Sequence, residues 1–183
     1  IKARQYYEQV IKQQQNGNND QIHKAYHGLG LVYKELGELN KAVTCFDKAI
    51  EIQNPSNLDA QTAKSYHELG IVYKVLGEFK ISKEYYEKGL EIRKSIYQDQ
   101  HQEIAESYDG IGWVYETLGD FEQALMYYQK GLEMFQQVYG ENHPLTAKSY
   151  HNLATVYSTL GDNKKSVEIY EKILDSSKLV LGD

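Results

Sequence analysis

"GIGWVYETLGD", residues 110–120, is one of four near-copies of a single string. The others read "GLGLVYKELGE" at 28–38, "ELGIVYKVLGE" at 68–78 and "NLATVYSTLGD" at 152–162. Most slots barely change, but one holds Leu31, Ile71, Trp113 and Thr155 in turn. Tyr26, Tyr66, Tyr108 and Tyr150 are spaced by 40, 42 and 42 residues. Tyr33, Tyr73, Tyr115 and Tyr157 keep that spacing, and so do Gly37, Gly77, Gly119 and Gly161. Self-similarity at this period predicts a repeat architecture, in which each unit buries its apolar face against its neighbours.

Each copy contains two helical patterns. Tyr108, Ile111, Gly112, Tyr115 and Leu118 fall on one face of a first helix. Gly119 then closes it, because glycine adopts the left-handed conformation at little steric cost. Phe121, Ala124, Leu125, Tyr128, Leu132, Phe135 and Val138 form the stripe of a second helix. Small residues recur on both faces: Gly30, Gly70, Gly112 and Ala154 on the first, Ala42, Ser82, Ala124 and Ser166 on the second. A mid-helix glycine costs about 1 kcal/mol relative to alanine, so its return predicts close helix packing. Tyr73 and Tyr115 are expected to be largely buried at that contact.

Composition narrows the function. The chain has 183 residues, 25% charged, with a formal net charge of −6. A sequence-independent grip on nucleic acid phosphates would favour a basic chain, so nucleic acid is not expected as a partner. One cysteine, Cys45, allows no internal disulfide. No apolar run approaches the length of a membrane helix, so membrane insertion is not expected. We read a soluble, cytoplasmic protein, and the start without methionine suggests a fragment.

The pattern resembles the tetratricopeptide repeat family over essentially the whole chain. Tyr26, Leu29, Gly30, Tyr33, Gly37, Ala42, Phe46 and Ala49 carry the match in copy one, with Pro55 near the end of its second helix. The 42-residue period and "YGENHPLTAKSYHNLATVY" at 139–157 resemble the variety found in kinesin light chains. Ile96, Tyr97, Val138 and Tyr139 continue the apolar stripe, so the second helix is expected to gain about two turns. "ARQYYEQVI" at 3–11 matches a second helix without its first. The resemblance implies an all-α, right-handed α-solenoid of nine helices, one orphan and four pairs, forming a single array over 1–183. Its parts are a truncated repeat at 1–12, a polar joint "QQQNGNND" at 13–20, and repeats at 21–56, 57–97, 98–139 and 140–183.

The residues offer little for catalysis. His23 and His27 lie four apart, but two ligands make no metal site, and both are read as solvated or groove-lining. Cys45 adjoins the Phe46 core slot and is read as a packed thiol. His101 and His143 occupy the same loop and are read as helix caps or solvated side chains. No metal, cofactor or enzymatic activity is expected.

What remains is the outer face of the first helices. Trp113 points about 140° from Tyr108 around the helix, together with Glu106, Asp109 and Glu116. By the resemblance, this face lines a concave groove that holds a peptide or helix of a partner protein. The matching positions are Lys24, His27, Leu31 and Lys34 in copy one and Lys64, His67, Ile71 and Lys74 in copy two. Copy four supplies Lys148, His151, Asn152 and Thr155. Members that clamp chaperone C-terminal carboxylates carry lysine and asparagine where this chain has His27 and Leu31, which disfavours that partner. The face reads as basic in copies one and two and acidic around Trp113, and His27 and His67 are expected to gain charge near pH 6.5. An ordinary solvated face, or packing of Trp113 on a neighbouring first helix, is the alternative. A scaffold is the leading function. A regulatory segment of a larger enzyme or receptor, and self-assembly through array ends, are the other two.

Overall fold

The computed structural model describes residues 2–13, 19–53, 59–97 and 101–181. Among them nine α-helices follow one another: α1 (Lys2–Gln13), α2 (Asn19–Glu35), α3 (Leu39–Ile52), α4 (Ala60–Val75), α5 (Phe79–Ile96), α6 (Gln102–Thr117), α7 (Phe121–Tyr139), α8 (Pro144–Thr159) and α9 (Asn163–Leu181). Most of the polar joint, residues 14–18, lies outside the described residues, as do Pro55 and the final "GD". Contacts divide the chain into two compact units, 1–96 and 97–183. In the first, α1 packs on α2, α2 on α3 and α4, α3 on α4 and α4 on α5. In the second, α6 packs on α7, α7 on α8 and α8 on α9.

The turns within pairs follow from the glycine. Gly119 takes φ 81°, which lets Asp120 N–H donate to the Tyr115 carbonyl at 2.9 Å and closes α6. The Asp120 carboxylate then caps α7 by accepting from Gln123 N–H at 3.2 Å. Gly37, Gly77 and Gly161 repeat the positive φ. The longer turns end in a histidine cap. His101 Nδ1 accepts from Glu103 N–H and His143 Nδ1 from Leu145 N–H, each at 3.2 Å. Their rings stack on Tyr97 and Tyr139 at 3.5 and 4.1 Å, so capping is the role they take.

The small residues bring paired helices close. A Cβ at Gly112 would lie 2.8 Å from the Tyr128 ring, and one at Gly70 equally close to Tyr86. The Ser82 hydroxyl donates to the Gly70 carbonyl at 2.7 Å and that of Ser166 to the Ala154 carbonyl at 3.0 Å. Cys45 is buried, and burial raises its thiol pKa.

One expectation needs correction. The most buried tyrosines are Tyr86 and Tyr128, at 2% and 1% exposure, not Tyr73 and Tyr115. The latter two are half-buried and stack on Tyr85 and Tyr127 at the edge of the pair. A ring that drops over a glycine is enclosed by two helices, whereas a ring beside a ring keeps one face to water. The second helices also differ in length: α5 and α7 have 18 and 19 residues against 14 in α3, a difference of little more than one turn. Ile96, Val138 and Tyr139 stand exposed at their ends.

Candidate functional site

The first-helix positions expected to face outward follow slot by slot, and several of them face the paired second helix instead: His27 meets Phe46, His67 meets Tyr86, Asp109 lies over Gly131 and Glu116 accepts the Tyr128 hydroxyl. Leu31, Ile71, Trp113 and Thr155 are all half-buried. Their neighbours Leu29, Leu69, Ile111 and Leu153 are buried. The slot whose identity varies is therefore the one at the edge of the core. Leu31 packs against the cluster around Phe46 and Leu69. Trp113 packs against the cluster of Tyr128, Leu132, Tyr150, Leu153 and Val156. Packing and partial exposure coexist at Trp113.

The preceding slot holds His27, His67, Asp109 and His151. In the first unit His27 is half-buried, its ring 5.4 Å from Phe46 and its Nδ1 in a 2.9 Å hydrogen bond with the Ser65 hydroxyl. Burial, with lesser contributions from His23, Lys64 and Lys34, lowers its pKa to about 4. His67 lies edge-on to Tyr86 at 5.1 Å, and its Nδ1 accepts from Arg93 Nη1 at 3.2 Å. Burial, then the Arg93 charge, lowers its pKa to about 3. The expected gain of charge near pH 6.5 is thus corrected: both rings are neutral there, because desolvation penalises the cation. His23 is also not a solvated side chain. It is fully buried, and its Nδ1–H donates to the Ala49 carbonyl at 2.7 Å.

Lysines at this face carry their own partners. Lys34 pairs with Glu68 at 2.6 Å, both about one-fifth exposed, and Lys24 pairs with Asp20 at 2.7 Å. Lys64 and Lys74 engage in interactions too. Of the four lysines read as basic surface, Lys24 and Lys34 are thus paired with carboxylates within the unit.

The acidic character around Trp113 is also drawn inward. Glu116 accepts the Tyr128 hydroxyl at 2.6 Å, and Glu106 accepts from Gln102 Nε2 at 2.7 Å. Asp109 reaches between helices. The Ser149 hydroxyl donates to its two oxygens at 3.4 Å, and a Cβ on Gly131 would lie 2.6 Å from its Oδ1. Burial raises its pKa to about 7, opposed by the Lys148 charge and the Ser149 hydrogen bond. In copy four Lys148 and His151 are exposed, His151 tilted on Tyr170 at 5.7 Å, while Asn152 and Thr155 are half-buried. The Thr155 hydroxyl donates to the His151 carbonyl at 3.0 Å.

Sequence reasoning missed Arg93, 2% exposed at the site of His67. A signal existed: Arg93 occupies the register of Phe135, a core slot, where an arginine must find an acceptor. Among the described residues no group of three or more His, Cys, Asp or Glu could hold a metal ion, and no helix is long and apolar enough to cross a membrane.

Known proteins share this architecture. BtubC (BKLC) from P. vanneervenii superposes with a TM-score of 0.90 at 21% identity, over 100% of this chain and 74% of its own. The putative kinesin light chain repeats of Podosopora anserina match at 0.83, 20% identity, over 98% and 87%. YrrB, described as having an unusual peptide-binding site, matches at 0.66, 19% identity, over 96% and 77%. Among curated proteins none matches the chain. The tetratricopeptide repeat pattern matches residues 61–137 and 118–178, and a second pattern of that description matches 23–54. With the paired helices, the glycine turns and the all-α fold, these matches make the chain a member of the tetratricopeptide repeat family.

Proposed function

We propose that the chain is a non-catalytic protein-interaction scaffold that holds a peptide or helix of a partner against the partly exposed slots of its first helices, each unit offering its own surface. The observation that carries this reading is the half-buried, variable slot. Leu31, Ile71 and Trp113 offer apolar surface at the core edge, while the charges beside them are mostly engaged within the chain. Apolar side chains of the partner would therefore supply the affinity, with charge setting orientation. YrrB, which shares the fold, is described as binding peptide.

The test uses the single tryptophan. Peptides selected from a random displayed library on the wild-type chain are titrated against it and against Trp113→Ala, Leu31→Ala and Ile71→Ala. Emission of Trp113 should shift to the blue on binding. Trp113→Ala should weaken binding by about 2–4 kcal/mol, the range of a hot spot. Because Trp113 also packs on the core cluster, the variant should lose about 1–2 kcal/mol of stability. Peptides that bind all three folded variants as well as wild type would sink the assignment.

A second reading, self-contact through array ends, draws on α9. Val167, Tyr170 and Leu174 are 53%, 40% and 56% exposed, whereas Tyr128 and Leu132 in the registers of Tyr170 and Leu174 are 1% and 3% exposed. Such an apolar stripe favours association. Sedimentation equilibrium of wild type and Leu174→Lys separates the two readings, since peptide binding on the first-helix faces should not respond to that change.

A further inference from the structure

Within α4 and α5, one ring of the second helix is inserted beside two rings of the first. Tyr85 stacks on Tyr73 at 5.3 Å with planes 7° apart and on Tyr66 at 6.0 Å with planes 30° apart. Lys88 caps the group, 5.1 Å from the Tyr85 ring and 6.0 Å from that of Tyr66. Within α6 and α7 the arrangement recurs. Tyr127 stacks on Tyr115 at 5.5 Å with planes 16° apart and lies 6.1 Å from Tyr108 at a 48° tilt, and Lys130 is 5.3 Å from Tyr127.

In α8 and α9 the frame is kept but the inserted ring is missing. Tyr150 and Tyr157 occupy the outer positions and Lys172 the capping one, while the register of Tyr85 and Tyr127 holds Ile169. A cleft of about 360 Å³ lies there, with Leu132, Tyr150, Leu153, Tyr157 and Ile169 among its walls and Gln129, Gln136, Lys165 and Glu168 as its polar lining; Lys165 Nζ lies 5.0 Å over the Tyr157 ring. Lys172 lies 4.6 Å over Tyr150 and bonds its hydroxyl. Copy one has the short Cys45 in this register, but there Arg4 of α1 lies 5.4 Å over the Tyr33 ring.

We propose that the cleft between α7, α8 and α9 receives a tyrosine side chain of a partner polypeptide, which completes the three-ring stack that Tyr85 and Tyr127 complete within the chain. The walls present the Tyr150 and Tyr157 rings and aliphatic groups at the positions that already accept a phenol ring elsewhere in the same fold, and the incoming ring displaces Lys165 and Lys172 from over these rings. Stacked aromatic pairs gain beyond simple area burial, and a lysine above the ring adds a cation–π contact. Tyrosine is the fitting occupant because the ring inserted in each complete stack is a tyrosine. The site takes its walls from α7, α9 and the Tyr150, Leu153 and Tyr157 side of α8, none of them a position used in the first-helix reading.

The probe is N-acetyl-tyrosinamide, titrated into the full chain while the Ile169 methyl and the Tyr150 and Tyr157 ring signals are followed by NMR. Saturable shifts at these three residues with a Kd of about 1 mM are expected, the scale open to one small anchor. N-acetyl-leucinamide should bind about tenfold more weakly, as it lacks the stacking face. Ile169→Tyr fills the cleft from within, so it should raise Tm and abolish saturation by the probe. Non-saturating shifts, equal binding of the leucine probe, or undiminished binding to Ile169→Tyr would overturn the proposal. Failure of Ile169→Tyr to fold would overturn it too, since the ring must fit there. Tighter binding of free p-cresol than of N-acetyl-tyrosinamide would assign the cleft to a small phenol and remove the polypeptide.

Discussion

One register slot sets the two units apart. In the first unit it holds His27 and His67, in the second Asp109 and the exposed His151, and the first three are pressed against the helices around them. Burial acts on each in the same way, by penalising the charged form. The consequences have opposite sign, because a neutral histidine has lost a proton and a neutral aspartic acid has kept one. His27 and His67 are lowered to about 4 and about 3, and Asp109 is raised to about 7. The repeat fixes where a polar side chain meets its neighbours. Residue identity decides how that place responds to pH.

The scaffold common to both units should show the largest effects. Tyr86 and Tyr128 are almost fully buried over Gly70 and Gly112, and truncation of either to alanine should cost about 3–5 kcal/mol. Tyr115→Ala, at a half-buried edge, should cost about half as much. Urea denaturation of the three variants checks this. A large loss for Tyr128→Ala beside a negligible one for Tyr86→Ala would mean that the two units do not share one packing scheme.

The pH response sharpens the contrast. The stabilising contribution of the lowered histidines is full above about pH 6.5, their unfolded value, and is lost as pH falls toward about 4 and about 3. That of the raised Asp109 is full below about pH 4, its unfolded value, and is lost as pH rises through about 7. Asp109→Asn should therefore remove a decline in Tm between pH 5 and 8, on the order of a few degrees. In the histidine ring-proton spectrum, His27 and His67 should not titrate above about pH 5. Titration of either near 6.5 would place it in water and dissolve the comparison.

The smallest effect belongs to the compensated charges. Lys34→Ala should lose about 1 kcal/mol or less, because the Lys34–Glu68 pair is only partly shielded from water. A double-mutant cycle with Glu68→Gln measures the coupling. Coupling near zero, with retention of peptide binding, would return Lys34 to the list of residues available to an acidic partner.

Much of the fold was legible before any coordinates, and the candidate site much less so. The glycine turns and the small residues at paired contacts follow from spacing along one or two adjacent helices, whereas spacing leaves His101 and His143 open between capping and solvent. The site residues were placed on an outer face by rotation about a single helix axis. That operation gives direction but not surroundings. Glu116 was expected beside Trp113 and instead accepts the Tyr128 hydroxyl from the next helix. Asp109 was expected in the same acidic ring and instead lies over Gly131.

The sequence alone determined the period, the pairing of helices and the family, because each depends on residues close in the chain and repeated at a constant interval. It also marked the slot of Leu31, Ile71, Trp113 and Thr155 as distinct from its buried neighbours. Tertiary structure decided which tyrosines are enclosed, which charges are already engaged and where a ring is missing from a stack. Those properties arise where three helices meet. The cleft at Ile169 is bounded by side chains from α7, α8 and α9, and no periodicity within one helix states how much space the other two leave.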